Sequence, residues 1–183
     1  MIETRCRIPL RTFTGKSIQR LEPRVEDVDI VDIAHSLSLQ CRFAGHIDYH
    51  YSVAQHSIAV SELVPREYAL HGLLHDAAEA YLQDIALPDR DILVSGAYLL
   101  AEERWNSVIG ARFGLGLGLV DLPHEVKRID EEMAAIEMRE LYQNEYSRLH
   151  GPILATFQQR PKESERCFLR RFEELTKNDA TVK

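Results

Sequence analysis

A chain of 183 residues, 45% apolar and 28% charged, is of a size to form one domain around a single buried core. Its formal net charge of -7 argues against a general nucleic-acid surface, because phosphate-backbone binding draws on Lys and Arg clusters, but it leaves small anionic ligands open. The N-terminus Met1-Ile2-Glu3-Thr4-Arg5 lacks a signal-peptide core, no apolar run approaches the roughly 18–20 residues of a membrane span, and Cys6, Cys41 and Cys167 show no CxxC spacing, so a soluble, cytoplasmic protein without a disulfide framework or cysteine zinc site is expected.

In chain order, the segment Arg7 to Ile18 alternates and carries Gly15 at a turn-like position, which predicts a short β-hairpin within about residues 5–20, acting as a lid or edge. From Val25 onward the periodicity is helical, with helices predicted at 27–40, 52–64, 66–83, 95–113, 121–147 and 161–177. Breaks fall at 43–51, at 83–90 with Pro88, at 114–122 and at 151–161. The expected fold is all-α, one domain over 1–183 with a helical core at about 27–177. Gly114-Leu115-Gly116-Leu117-Gly118-Leu119 spells neither GxGxxG nor GxxxxGK[ST], so it reads as a flexible connector rather than a phosphate loop. The C-terminal segment places Phe168, Phe172 and Leu175 on one face, which helix packing explains; a subunit contact is the alternative.

Against this frame, four residues stand out. His56 falls within the stripe Val53, Val60, Leu63 of its predicted helix, so its imidazole faces the core. Asp130 sits on the apolar face formed by Val126, Ile129, Met133 and Ile136, where an ionised carboxylate costs several kcal/mol unless a cation or strong donor lies beside it. The adjacent pair His75-Asp76 offers an imidazole nitrogen and a hard carboxylate oxygen together. Any one of these residues alone is more simply a satisfied core side chain; in combination they read as a divalent-metal site. His71, four residues before His75, has the spacing of a paired metal site, but Gly72-Leu73-Leu74 lacks the glutamate of HExxH, which leaves His71 a structural or supporting role.

The arrangement of His56, His75-Asp76 and Asp130 resembles the H…HD…D signature of the HD-domain phosphohydrolases. Cys41-Arg42-Phe43-Ala44-Gly45-His46, Tyr51 to Ser57, Leu73 to Tyr81 and Asp84-Ile85-Ala86-Leu87-Pro88 are similar to the small, single-domain nucleotidase branch of that superfamily, over roughly residues 30 to 145. That branch includes bacterial 5′-deoxynucleotidases and phage deoxyadenosine triphosphate triphosphohydrolases. The resemblance implies a single HD-domain helical bundle, a homo-oligomer (dimer or hexamer) and a metal-dependent enzyme acting on small deoxynucleotides. His56, His75, Asp76 and Asp130 would hold Co²⁺, Mn²⁺, Zn²⁺, Fe²⁺ or Ni²⁺ with open positions, and Mg²⁺ could ride on the substrate phosphates.

Further roles follow by chemistry and by analogy. Glu79, three residues after Asp76, would orient the attacking water or shuttle a proton. Asp84, in the loop with Leu87-Pro88-Asp89-Arg90, matches an aspartate associated in relatives with the sugar or with proton transfer; its plainer role is that of a turn former. Arg42 would clamp phosphate and Phe43 stack on a base or sugar, although relatives often carry Trp where Phe43 stands. His46 would touch phosphate, while His50 is as much a surface residue. Pro88 and Arg90 match a Pro-x-Lys loop with Arg in place of Lys, and Lys127, one turn before Asp130, could reach the phosphates; for Arg90 and Lys127 a surface role is nearly as good an account. Arg42, Arg90 and Lys127 together favour a dNTP, dATP above all, cleaved to deoxynucleoside and triphosphate. The competing expectations are a 5′-nucleotidase acting on dNMPs and a non-catalytic nucleotide-binding domain.

Overall fold

Asp29 accepts from the Val31 amide at 3.0 Å and so caps the first helix, α1 (Ile30–Leu39), which starts after a short 3-10 turn at Val25–Asp27 rather than at residue 27. The computed structural model describes residues 9–47, 49–83, 96–142 and 159–177. A second cap, the reciprocal box in which Ser52 accepts from the Gln55 amide while Gln55 accepts from the Ser52 amide, opens α2 (Val53–Leu63). Among the described residues the remaining helices are α3 (Ala69–Leu74), α4 (Glu79–Leu82), α5 (Gly96–Phe113), α6 (His124–Leu141) and α7 (Pro161–Lys177). The fold is thus all-α with a two-stranded antiparallel hairpin, β1 (Leu10–Arg11) and β2 (Ser17–Ile18), as expected. Among the described residues no helix is long and apolar enough to cross a membrane.

Helix α2 lies at the centre, packed on α1, α3, α6 and α7, while α1 also meets α4 and α7. One core gathers Ile33, Leu37, Leu73, Trp105, Ile109 and Phe168; burying a side chain such as Phe168 contributes about 1.5–3 kcal/mol. Trp105 stacks on Tyr81 at 3.9 Å between ring centroids and donates its indole N–H to the Arg20 carbonyl at 2.8 Å. The C-terminal helix is absorbed by packing: Phe168 is fully buried, Phe172 meets Phe113 edge-on, and Arg171 bonds the backbone carbonyl and hydroxyl of Ser61. The hairpin is fastened as an edge, with Ile18 buried and the Thr14 amide and hydroxyl both donating to Asp32 at 2.7 and 2.8 Å.

Two expectations change. The helix predicted at 66–83 is interrupted: a 3-10 turn at Arg66–Tyr68 leads into α3, and a tightened turn over 75–78 separates α3 from α4. The cause is local. The Gly72 carbonyl, free to serve the backbone in an ordinary helix, accepts instead from Nδ1–H of His75 at 2.8 Å, and the bonds that follow run three residues, from the Ala77 amide to the Leu74 carbonyl and from Glu79 to Asp76. The second change concerns the glycine run, which is a packed turn rather than a flexible connector. Gly114 (φ +76°) ends α5 in a Schellman arrangement with the Leu115 amide on the Gly110 carbonyl, Leu119 is buried, and a Cβ on Gly118 would press into the His71 ring.

A Cβ on Gly110 would collide with the Gly116 carbonyl oxygen. Replacing a helical Gly by Ala ordinarily stabilises by about 1 kcal/mol. Here overpacking should reverse the sign, so Gly110→Ala is expected to lose about 1–3 kcal/mol in urea unfolding. A gain in stability would show that the glycine turn yields.

Candidate metal centre

Two helices and one tightened turn converge on a single cluster. His56 projects from the middle of α2, His75 and Asp76 from the tightened turn after α3, and Asp130 from α6, which packs against α2. Nε2 of His56 lies 2.9 Å from Oδ1 of Asp130 and 3.8 Å from Oδ2 of Asp76; Nε2 of His75 lies 3.6 Å and 3.2 Å from the same two oxygens. Ligand atoms placed about 2.0–2.2 Å from one cation stand roughly 3–4 Å apart, so these separations fit a shared ion. Ligand atoms of His56, His75 and Asp130 all lie within 4.8 Å of one another, and these three residues could hold a metal ion. Asp76 borders them.

The orientation of both imidazoles points the same way. Nδ1–H of His75 is committed to the Gly72 carbonyl, while Nε2 is buried and makes no well-directed hydrogen bond despite its nearby carboxylates. A buried ring nitrogen left in that state suits a cation. Nδ1 of His56 faces Oε1 of Glu137 at 2.8 Å, a carboxylate with no solvent exposure. Glu137 also accepts Nε–H of Arg42 at 2.7 Å and the hydroxyl of Tyr51.

Charge supports the same conclusion. Asp76, Asp130 and Glu137 gather around two imidazoles and the Arg42 guanidinium, whose Nη1 is 3.9 Å from Asp76. Burial pushes each of these carboxyls up, but the histidines outweigh it for Asp76 and Asp130, and His56 together with Arg42 does so for Glu137; all three are held below the usual carboxylate range. Burial likewise pushes the His75 imidazolium down, and Asp76 and Asp130 overturn that, raising it well above an ordinary histidine. A divalent cation held here would bind the imidazoles in their neutral form and would offset the gathered carboxylate charge.

The other predicted residues fall as follows. Glu79 opens α4 with its amide on the Asp76 carbonyl at 3.0 Å, one turn beyond Asp76 as the spacing implies, and is half-buried. Arg42 is at the cluster, tied to Glu137. Phe43 sits beside it at φ +55°, followed by Ala44 at +51°, with the guanidinium carbon 5.3 Å from the Phe43 ring centroid and the ring edge-on to Tyr142. Two successive non-glycine residues in the left-handed region store local strain, a feature that gathers at functional sites. His46 is exposed, and its amide donates to the Phe43 carbonyl. Lys127 is half-exposed and pairs with Asp121 at 3.2 Å. His71 touches Tyr68 and Gly118, neither of which belongs to the cluster. Asp84, Pro88 and Arg90 lie outside the described residues.

Glu137 and Tyr51 are the residues that the sequence reading missed. The signal for Glu137 was present: it stands four residues after Met133 on the buried face of α6, the same position logic that singled out Asp130. Asp130 is in fact 39% exposed at its side chain, so the argument from misplaced charge applies more strongly to Glu137.

No protein-family model matches the chain. It is 44% identical over 132 residues, 72% of its length and 71% of the relative's, to the uncharacterized protein YfdR of Escherichia coli. It is 33% identical over 141 residues to an uncharacterized protein of Rhodobacter capsulatus, again covering 72% of the chain and 71% of the relative.

Binding of Co²⁺ or Mn²⁺ at about a hundredfold excess over its dissociation constant should stabilise the fold by about 2.7 kcal/mol, a rise in Tm on the order of 5–10 °C for a chain of this size. His75→Ala should abolish the rise. An equal shift in that variant would place the ion elsewhere.

Proposed function

The chain belongs to the same family as YfdR and its Rhodobacter capsulatus relative, and we propose that it is a metal-dependent phosphohydrolase of deoxynucleotides, with the HD-domain chemistry that its motifs resemble. The observation that carries the proposal is the convergence of His56, His75 and Asp130, bordered by Asp76, with both imidazoles oriented by bonds on Nδ1. A non-catalytic domain has no evident chemical need for that convergence.

His56, His75, Asp76 and Asp130 would hold the cation, with Co²⁺, Mn²⁺, Zn²⁺, Fe²⁺ and Ni²⁺ all compatible with two imidazoles and two carboxylates. When bound, a divalent ion supplies Lewis acidity toward a phosphoryl oxygen and acidifies a water molecule. The chain's own residues do the rest. Glu79, one turn beyond Asp76, takes the proton from the attacking water at its carboxylate and returns it to the leaving oxygen. Arg42 offers positive charge to the substrate phosphate, and Phe43, lifted by the strained turn, offers an aromatic face beside it.

The length of the phosphate chain divides two readings. A triphosphate substrate, dATP first, calls for several cations along the phosphates. A dNMP, cleaved to deoxynucleoside and orthophosphate, needs fewer. The triphosphate reading leans on Arg90 and on Lys127, whose exposed pairing with Asp121 is too weak to withhold it from a phosphate.

Incubating the purified protein with Co²⁺ or Mn²⁺ and each dNMP and dNTP in turn, followed by anion-exchange analysis, decides between them. Deoxynucleoside plus triphosphate from dATP supports the first reading, and orthophosphate from dNMPs the second. In either case Glu79→Gln should lower kcat by about 10²–10⁴-fold with metal retained. No product from any nucleotide would leave a binding domain.

A further inference from the structure

A carboxylate with no solvent exposure must be satisfied on both oxygens, and Glu137 is satisfied by residues from two separate segments. Its Oε1 receives Nδ1 of His56 at 2.8 Å, its Oε2 receives Nε–H of Arg42 at 2.7 Å, and the Tyr51 hydroxyl adds a third bond. Tyr51 and Arg42 are themselves joined, the Arg42 amide donating to the Tyr51 carbonyl at 2.9 Å beside the Cys41–Ser52 bridge. The loop carrying Arg42 and the helix carrying His56 therefore meet on one side chain of α6.

We infer that Glu137 is the positioning residue of the centre: one of its oxygens fixes His56 with Nε2 facing the ligand set, and the other holds the Arg42 guanidinium at the rim. The inference rests on the metal reading above but not on the identity of the substrate. An imidazole whose Nδ1–H is held by a carboxylate presents a lone pair at Nε2, and such outer partners fix ring orientation and raise ligand basicity. Arg42 is aligned by the same group, so metal and anion sites share one anchor.

The chemistry requires a carboxylate, because both neighbours are donors. A glutamine offers a single acceptor. If its oxygen faces His56, its NH₂ faces Nε–H of Arg42, donor against donor. If the amide is reversed, its NH₂ faces Nδ1 of His56, which drives the imidazole proton to Nε2, the atom needed for ligation. Either arrangement fails at one of the two tasks.

The test measures Co²⁺ binding by competition with a chelating dye and by its visible absorption, on the full chain and without any nucleotide. Glu137→Gln is expected to weaken Co²⁺ binding roughly ten- to a hundredfold while far-UV circular dichroism is retained. In Glu137→Gln/Arg42→Met no guanidinium opposes the amide, so its oxygen can face His56, and affinity should return to within about fivefold of Arg42→Met alone, a coupling that a merely structural role would not produce. Folded Glu137→Gln that binds Co²⁺ as tightly as wild type overturns the inference and leaves the metal centre standing. A wild type that takes up no Co²⁺ overturns both, whereas metal binding without hydrolysis of any nucleotide removes only the phosphohydrolase reading. If Glu137→Gln does not fold, nitrogen-15 spectra of the Zn²⁺-loaded wild type give the answer: Nδ1 of His56 protonated supports the role, and Nδ1 without a proton refutes it.

Discussion

The side chain of Glu137 is fully enclosed, and the fold can keep it ionised only by bringing donors to it from elsewhere in the chain. A buried charge deprived of one partner typically costs about 3–5 kcal/mol, so the bonds from His56, Arg42 and Tyr51 are a strong constraint on how α2, α6 and the 41–52 loop sit together. The cluster is a consequence of that constraint. Once His56 is anchored through Nδ1, its other nitrogen faces Asp130 and Asp76, and the turn after α3 needs only to bring His75 alongside.

That turn shows how a local interaction in the sequence makes a site. His75 folds back on the Gly72 carbonyl, which tightens the chain into three-residue bonds and separates α3 from α4. The tightened turn brings both His75 and Asp76 to the same cluster. Leu73, Leu74 and Ala77 meanwhile stay in the core, so the interruption is held by packing on both sides.

Much of this was legible in the residue pattern, and the failures have physical causes. Apolar periodicity located six helical regions because each buries one face, but it set the first start at residue 27, three residues before the helix that Asp29 caps. Periodicity could not reveal the break at His75, since a 3-10 turn preserves nearly the same sequence of faces. The glycine run was misread because loss of side chains signals freedom in a sequence, whereas here it allows Gly110 to approach the Gly116 carbonyl and Gly118 to admit the His71 ring. His56 and Asp130 were found by asking which polar groups occupy apolar faces; the same question put to Glu137 would have found the anchor.

The central claim, that His56, His75, Asp76 and Asp130 form one metal centre, is tested most directly by anomalous diffraction at the cobalt edge from crystals grown with Co²⁺. The account predicts a strong peak about 2.0–2.2 Å from Nε2 of both histidines and from an oxygen of each aspartate. A peak bound by other residues, or a cluster that keeps its direct His56–Asp130 contact with no peak beside it, would contradict it.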